Sequence, residues 1–439
     1  MLKVTKFGGS SVAGPAQFKK VKAILDSDPD RKVVIVSACG KRFSKDHKLT
    51  DLLYLCHAHL EYGVSCDDIS SQIEERFSEI SRSLSLNPEI EEEAKHCLRS
   101  LSPKMSKEWL VSRGEYFTAK MMSEYLGFHF VDAADCIFFS SDGELDKMKT
   151  DSAIRSAYEK YGEIVIPGFY GSLPNGRIRL MPRGGSDITG SIVSAALSAD
   201  IYENWTDVSG ILMADPKIVP DPKPIHTLTY SELRELSFMG ASVLQEDSIL
   251  PVREAGISLN IRNTNDPDNP GSLIVEKVLS EDDDDDRFIT GIAGRKDFTV
   301  ISIQKRNLKV SESLRKVLEI LERFHIGVEN ITLGLDSFSV VVSSASLENM
   351  EFEVIGDIRK AVQPDKLDTQ DEISLVAAVG RKMTFRPGIS GRLFNALGNE
   401  GINIRTIAQG ADELSIIVGV QNEDFETAVR VLYEGFARS

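Results

Sequence analysis

The chain has 439 residues, more than the roughly 250–300 that one hydrophobic core organises, so two or three domains are expected. A 41% hydrophobic share can build cores without staples, and a net charge of −16 argues against nucleic acid, whose binding needs lysine and arginine to neutralise phosphates. Five scattered cysteines fit neither a disulfide framework nor zinc, and no apolar run reaches the ~18 residues of a membrane span, so a cytoplasmic protein with no membrane partner is expected.

In chain order, the apolar start at Leu2 and Val4 leads into Lys6-Phe7-Gly8-Gly9-Ser10-Ser11 and then a helical pattern from Pro15. A strand that turns through two glycines into a helix leaves bare backbone N–H groups that can hold a phosphate, with Lys6 as a neighbouring cation. An ordinary tight turn with a solvated lysine fits the same residues. Phe18, Val21 and Ile24 then space an amphipathic helix, and Lys32 to Ala38 reads as a buried parallel strand. The loop from Cys39 to Lys48 carries Gly40 and the cations Lys41, Arg42, Lys45 and Lys48. A ligand loop belongs at such a strand end in an open α/β sheet.

From Leu52 to Leu126 the pattern is helical, broken at Gly63 and Asn87-Pro88, and it includes Ser112-Arg113-Gly114-Glu115. Strands are expected at Phe128 to Val131 and Glu163 to Gly168, with a helix over Asp146 to Tyr161 between them. Arg183-Gly184-Gly185-Ser186-Asp187 repeats the strand, glycine pair and helix of the opening, with the helix expected from Ile188 to Ala199. Trp205-Thr206-Asp207-Val208 reads as a turn after a strand. Helical spacing returns over Tyr230 to Leu236 and Ala241 to Ala255, and Ile257 to Arg262 reads as the last long strand. The acidic run Glu281 to Asp286 self-repels and reads as a linker in preference to a metal site. Beyond it Leu314, Ile326 and the strand Phe338 to Val342 match Leu393, Ile402 and the strand Leu414 to Val418, an internal repeat at an offset of about 76 residues.

No P-loop, dinucleotide-binding or protein-kinase signature is present, and the seven histidines show no metalloprotease spacing. What remains in combination resembles the amino-acid kinase superfamily and, within it, the aspartate kinases. The opening is similar to that family's Lys-Phe-Gly-Gly-Thr/Ser-Ser motif and Val36-Ser37-Ala38 to its serine loop. Ser112 to Glu115 resembles its Gly-Glu helix start, Arg183 to Asp187 its Gly-Arg-Gly-Gly-Ser-Asp signature, and the terminal repeat its paired ACT domains.

The resemblance implies an α/β fold: a three-layer αβα sandwich with a mainly parallel sheet over residues 1–281, then two ferredoxin-like βαββαβ ACT domains over 287–439. The first ACT domain would span about 298–366 and the second about 287–297 plus 367–439. It implies ATP-dependent phosphorylation of the L-aspartate β-carboxylate, with Mg²⁺ carried by the nucleotide and no metal cage of protein ligands. The step opens lysine, threonine and methionine synthesis.

In the same terms Lys6 and Asp187 would be catalytic, and Lys6, Gly8, Gly9, Ser10, Thr206 and Asp207 would bind the nucleotide. Ser37, Thr50, Glu115, Arg183, Gly184 and Ser186 would bind aspartate. A carboxylate is already a nucleophile at neutral pH, so catalysis reduces to positioning and charge neutralisation. By the resemblance, Arg183 would supply the planar cation for the α-carboxylate and Glu115 the anion for the α-ammonium. Two positions depart from the family: Leu212 stands where a tyrosine contacts adenosine, and Ser242 where many relatives carry a lysine. No role is carried onto Ser242. An effector amino acid, lysine first and threonine second, is expected on the ACT domains, which would pair as a homodimer or a dimer of dimers. Another amino-acid kinase, or a sensor built on a kinase scaffold, are the alternatives.

Overall fold

The computed structural model describes residues 1–241, 244, 246–278, 288–307, 309–383, 387–410 and 412–437. The acidic run and Ser242 lie outside the described residues. The chain divides into two units, one of Met1–Ile211, His226–Tyr230 and Leu244–Leu279, the other of Leu212–Ile225, Ser231–Val243 and Ser280–Ser439. Two segments from before the acidic run thus group with the C-terminal residues. Among the described residues no helix is long and apolar enough to cross a membrane.

The first unit is built on strands β1 (Lys3–Phe7), β2 (Arg31–Val36), β3 (His129–Phe130) and β4 (Ile164–Pro167), a hairpin of β5 (Tyr170–Ser172) and β6 (Ile178–Leu180), and β7 (Ile201–Thr206). After β8 (Ile211–Leu212) and β9 (Pro224–Ile225), which pair with each other, come β10 (Thr227–Thr229), β11 (Ser258–Asn263) and β12 (Ser272–Val275). The main sheet runs β10-β12-β11-β7-β1-β2-β4-β3, and every pair is parallel except β11 with β12.

Burial explains why the strands read as continuous apolar runs. Val34 and Val36 enter a core with Phe18, Leu53, Phe77 and Phe117, while Val33 and Ile35, pointing the opposite way, are equally inaccessible. Both faces are therefore covered, which makes the sandwich three-layered. The chain leaves β1 for β2 on one side and later returns to β7 on the other, so the carboxyl end of β1 is a switch point where such sheets bind ligands.

The second unit holds β13 (Gly291–Gln304), β14 (Val328–Leu333), β15 (Ser337–Ser343), β16 (Lys366–Val379), β17 (Thr406–Gln409) and β18 (Ser415–Gln421). They form one antiparallel sheet in the order β14-β15-β13-β16-β18-β17. Each repeat keeps its own core, Ile301, Val317, Leu321, Val340 and Ile358 in one and Val376, Leu393, Val418 and Leu432 in the other. Strands β13 and β16 run through both, bending where Asp297 and Glu372 take positive φ and the register shifts. Each repeat carries the second helix of the βαββαβ pattern, Glu351–Val362 in one and Phe425–Ala437 in the other.

Candidate functional site

The glycine pair after β1 forms a single tight turn, Gly9–Val12. Gly8 does not offer its amide to a ligand, because that N–H donates to the Trp205 carbonyl at 3.0 Å. A Cβ there would make only ordinary contact, 3.6 Å from Lys6 Nζ and from the Trp205 carbonyl oxygen, so space alone does not require glycine at this position. Among the described residues no protein acceptor meets the Gly9 and Ser10 amides, so the free donors lie one residue further on than the motif implies. The turn is pinned to the basic loop: Gly40 N–H donates to the Gly9 carbonyl at 2.8 Å, and a Cβ on Gly40 would stand 2.5 Å from the Gly9 carbonyl carbon. Arg76, buried in the helix Asp67–Ser83, holds the loop from beneath through the carbonyls of Gly40 and of His47, the latter at 2.8 Å.

Parallel pairing of β1 with β7 sets Lys6 opposite Asn204. The Lys6 ammonium lies 2.6 Å from Asp187 Oδ1 and 3.4 Å from Asn204 Oδ1, and Asn204 Nδ2 donates to the same Asp187 oxygen at 2.7 Å. A lysine that is only 6% exposed is held in one place by this triangle, so it is a fixed charge and not a mobile one. Asp187 sits in the first turn of the helix Gly185–Leu197, whose N-cap Gly184 has φ of 80°, a left-handed conformation that glycine adopts without strain.

Glu115, in the helix Lys107–Leu126, is buried at 4% exposure. Burial pushes its carboxyl up to about 8, against the opposing donation from the Ala38 backbone N–H, and Oε2 has no protein partner. Arg183 is exposed and, among the described residues, has no ion-pair partner. A buried acid with a vacant oxygen and an exposed guanidinium on one cavity are the two groups that could receive the opposite charges of a zwitterion.

That cavity, of about 920 Å³, is walled by all of the site residues read from the sequence except Lys6, which reaches it through Asp187 and Gly8. Ser37, Thr50, Gly184 and Ser186 stand with Glu115 and Arg183, while Gly8, Gly9, Ser10, Thr206 and Asp207 form the remaining wall. Thr206 Oγ1 donates to Asp207 Oδ1 at 3.2 Å, Thr206 half-buried and Asp207 exposed. Of the basic loop, Lys41 and Lys48 line the cavity. Arg42 instead pairs with Asp46 at 2.9 Å and Glu79 at 3.0 Å, and its hydrogen bond holds the Asp46 carboxyl well below the usual range.

Asn204 and Arg76 were not singled out by sequence. Asn204 was legible in principle, because it lies two residues before Thr206 on one strand and so shares its face. Arg76 carries no local signal. Among the described residues no three His, Cys, Asp or Glu side chains gather to hold a metal.

Residues 1–263 match the model of the amino acid kinase family and residues 376–436 that of an ACT domain. Aspartokinase 3 of Bacillus subtilis is 33% identical over 452 residues, spanning 99% of this chain and 98% of its own. The crystal structure of Clostridium acetobutylicum aspartate kinase superposes with a TM-score of 0.90 at 45% identity over 99% of both chains. E. coli aspartokinase III in complex with lysine and aspartate gives 0.75 at 25% identity, again over 99% of both. With a three-layer kinase sandwich, a C-terminal ACT region and these relatives along its length, the chain belongs to the amino acid kinase family and, within it, to the aspartate kinases.

Proposed function

We propose that the chain transfers the γ-phosphoryl group of ATP to the β-carboxylate of L-aspartate, giving 4-phospho-L-aspartate. The observation that carries this reading is the presence on one cavity wall of Glu115, buried with a vacant oxygen, and Arg183, exposed and without an ion-pair partner among the described residues. Glu115 would accept the α-ammonium, Arg183 would clamp the α-carboxylate through its planar fork, and Ser37, Thr50 and Ser186 would hydrogen-bond the rest of the substrate. The side-chain carboxylate needs no base. The Gly9 and Ser10 amides and the Lys6 ammonium, fixed by Asp187 and Asn204, would neutralise charge on the transferring phosphoryl oxygens. Thr206 and Asp207 would contact the nucleotide. Mg²⁺ would be carried by the nucleotide phosphates, and Asp187 and Asp207 are among the carboxylates on the wall.

The regulatory reading rests on the second unit. Its two cores divide where β13 and β16 bend at Asp297 and Glu372, which suits a first ACT domain from about residue 298 and a second that includes the start of β13, after a kinase domain ending near residue 281; residues 367–370 of β16 pair with the first module, so its boundary lies near 371 instead of 366. The edge strands β14 and β17 end the sheet with Leu333 and Ile407 at least half exposed, which suits pairing with a second copy as a homodimer. Lysine is the effector assigned to these domains, in line with the lysine complex of E. coli aspartokinase III. An effector acts only through unequal affinity for two states of the enzyme. A hydroxamate assay with ATP and aspartate, with lysine and threonine titrated separately, tests both parts. Turnover of glutamate but not aspartate rejects the substrate, and inhibition by threonine alone rejects the effector.

A further inference from the structure

The larger cavity of the kinase unit, about 1120 Å³, is a different one, and Arg113 of the Ser-Arg-Gly-Glu run faces it. Arg113 and Glu115 are two positions apart, about 200° around a helix, so the two side chains leave in nearly opposite directions. Arg113 is 9% exposed, and its guanidinium packs among rings, 4.3 Å from the centroid of Tyr116, 4.9 Å from Trp109 and 5.9 Å from Tyr170. Ser112 Oγ accepts from Nε at 3.3 Å and Nη2 at 2.9 Å, and the Trp109 carbonyl accepts from Nε. Among the described residues no acceptor meets Nη1, and no carboxylate forms an ion pair with Arg113.

An arginine cannot shed its proton, so the ring contacts and the hydrogen bonds to Ser112 and Trp109 offset only part of the cost of burying it without an anion. The rings fix the plane of the guanidinium, and Ser112 occupies the Nε edge. The Nη1 edge is left free for a bidentate oxyanion. The mouth of the cavity adds Lys104, Lys107 and Arg177, none with an ion-pair partner among the described residues, and Arg179, which lies over the Phe139 ring at 5.3 Å. Two acids, Glu108 and Asp132, also line it, and Asp132 is engaged by the Tyr170 hydroxyl at 2.7 Å and the Ala134 amide at 3.0 Å. Five cations against two carboxylates at one cavity run against the −16 of the whole chain.

We propose that this cavity is a second anion site, binding a small molecule through a phosphate or carboxylate group held on Arg113, with Lys107 and Arg177 completing the charge. It is independent of the substrate reading, since Tyr54 is the one wall residue the two cavities share. Arg113 is packed, so the exposed pair Lys107 and Arg177 carries the test.

Isothermal titration of the full chain with inorganic phosphate, and separately with succinate, reads the site. The Lys107→Ala/Arg177→Ala variant should bind at least about tenfold more weakly, because two charge-assisted contacts are lost. The Lys6→Ala/Arg183→Ala variant, which disarms the substrate cavity, should retain the wild-type affinity of this site. Binding of phosphate but not succinate, or the reverse, assigns the oxyanion. No saturable binding of either probe up to about 10 mM overturns the proposal. So does an affinity unchanged by Lys107→Ala/Arg177→Ala, or binding lost with Lys6 and Arg183 instead.

Discussion

The Lys6 ammonium lies 2.6 Å from the Asp187 carboxylate, and Asn204 touches both partners. A buried cation in this position is compensated before any nucleotide arrives, so it can be aimed at phosphoryl oxygens without collapsing onto other groups. Lys6→Ala should lower kcat by about 10²–10³-fold, the scale of losing one preorganised charge, with circular dichroism unchanged. Asp187→Asn removes the anion and leaves the buried ammonium with only neutral amide oxygens. It should therefore cost stability as well, about 3–5 kcal/mol in denaturant unfolding. Equal stability of Asp187→Asn and wild type would show that the pair does not carry the lysine.

Arg183 is exposed and, among the described residues, has no ion-pair partner, so its removal should not disturb the fold. Arg183→Ala should raise the aspartate KM by about 10–100-fold, with a smaller change in kcat, because it removes a charge-assisted contact made equally in ground and transition states. Arg183→Lys should recover little of this, since a point charge cannot replace a two-pronged donor. Steady-state kinetics with aspartate varied at saturating ATP separates these outcomes.

Glu115 gives the pH dependence. Its folded-state carboxyl is raised from the usual 4.5 to about 8 by burial, so the folded chain holds the proton more tightly than the unfolded chain. The stability that this provides is whole below about pH 4.5 and is lost as the pH rises through about 8. Glu115→Gln cannot ionise. Its melting temperature should gain on wild type as the pH rises from about 4.5 to about 8, and the gap should level off above that. Aspartate binding, which needs the carboxylate, should release a proton near neutrality, and wild-type KM should fall as the pH approaches about 8. A pH-independent gap in melting temperature would place the titration elsewhere.

Gly40 tests the contact between the two loops. A methyl group there meets the Gly9 backbone at 2.5 Å, with no flexible side chain to yield. Gly40→Ala should displace the Gly9–Ser10 turn and raise the ATP KM by about tenfold or more, for a stability loss of about 1–3 kcal/mol. An unchanged ATP KM would mean that the turn does not hold the nucleotide.

Much of the molecule was legible without coordinates. Continuous apolar runs such as Lys32 to Ala38 announced strands buried on both faces, the glycine pairs at Gly8 and Gly184 marked the strand-to-helix turns, and the repeat after the acidic run announced two similar modules. These are local facts, fixed by side-chain periodicity and by backbone conformations open to glycine. What only the tertiary structure decided depends on long-range pairing and burial. Register between β1 and β7 brought Asn204 to Lys6, and the Trp205 carbonyl took the Gly8 amide, moving the free donors to Gly9 and Ser10. Desolvation raised the Glu115 carboxyl, and three rings around Arg113 left its cation without an anion. Neither a hydrogen-bond partner far along the chain nor the dielectric around a buried charge is written in the residues beside it, which is why the sequence marks the site while the fold sets its chemistry.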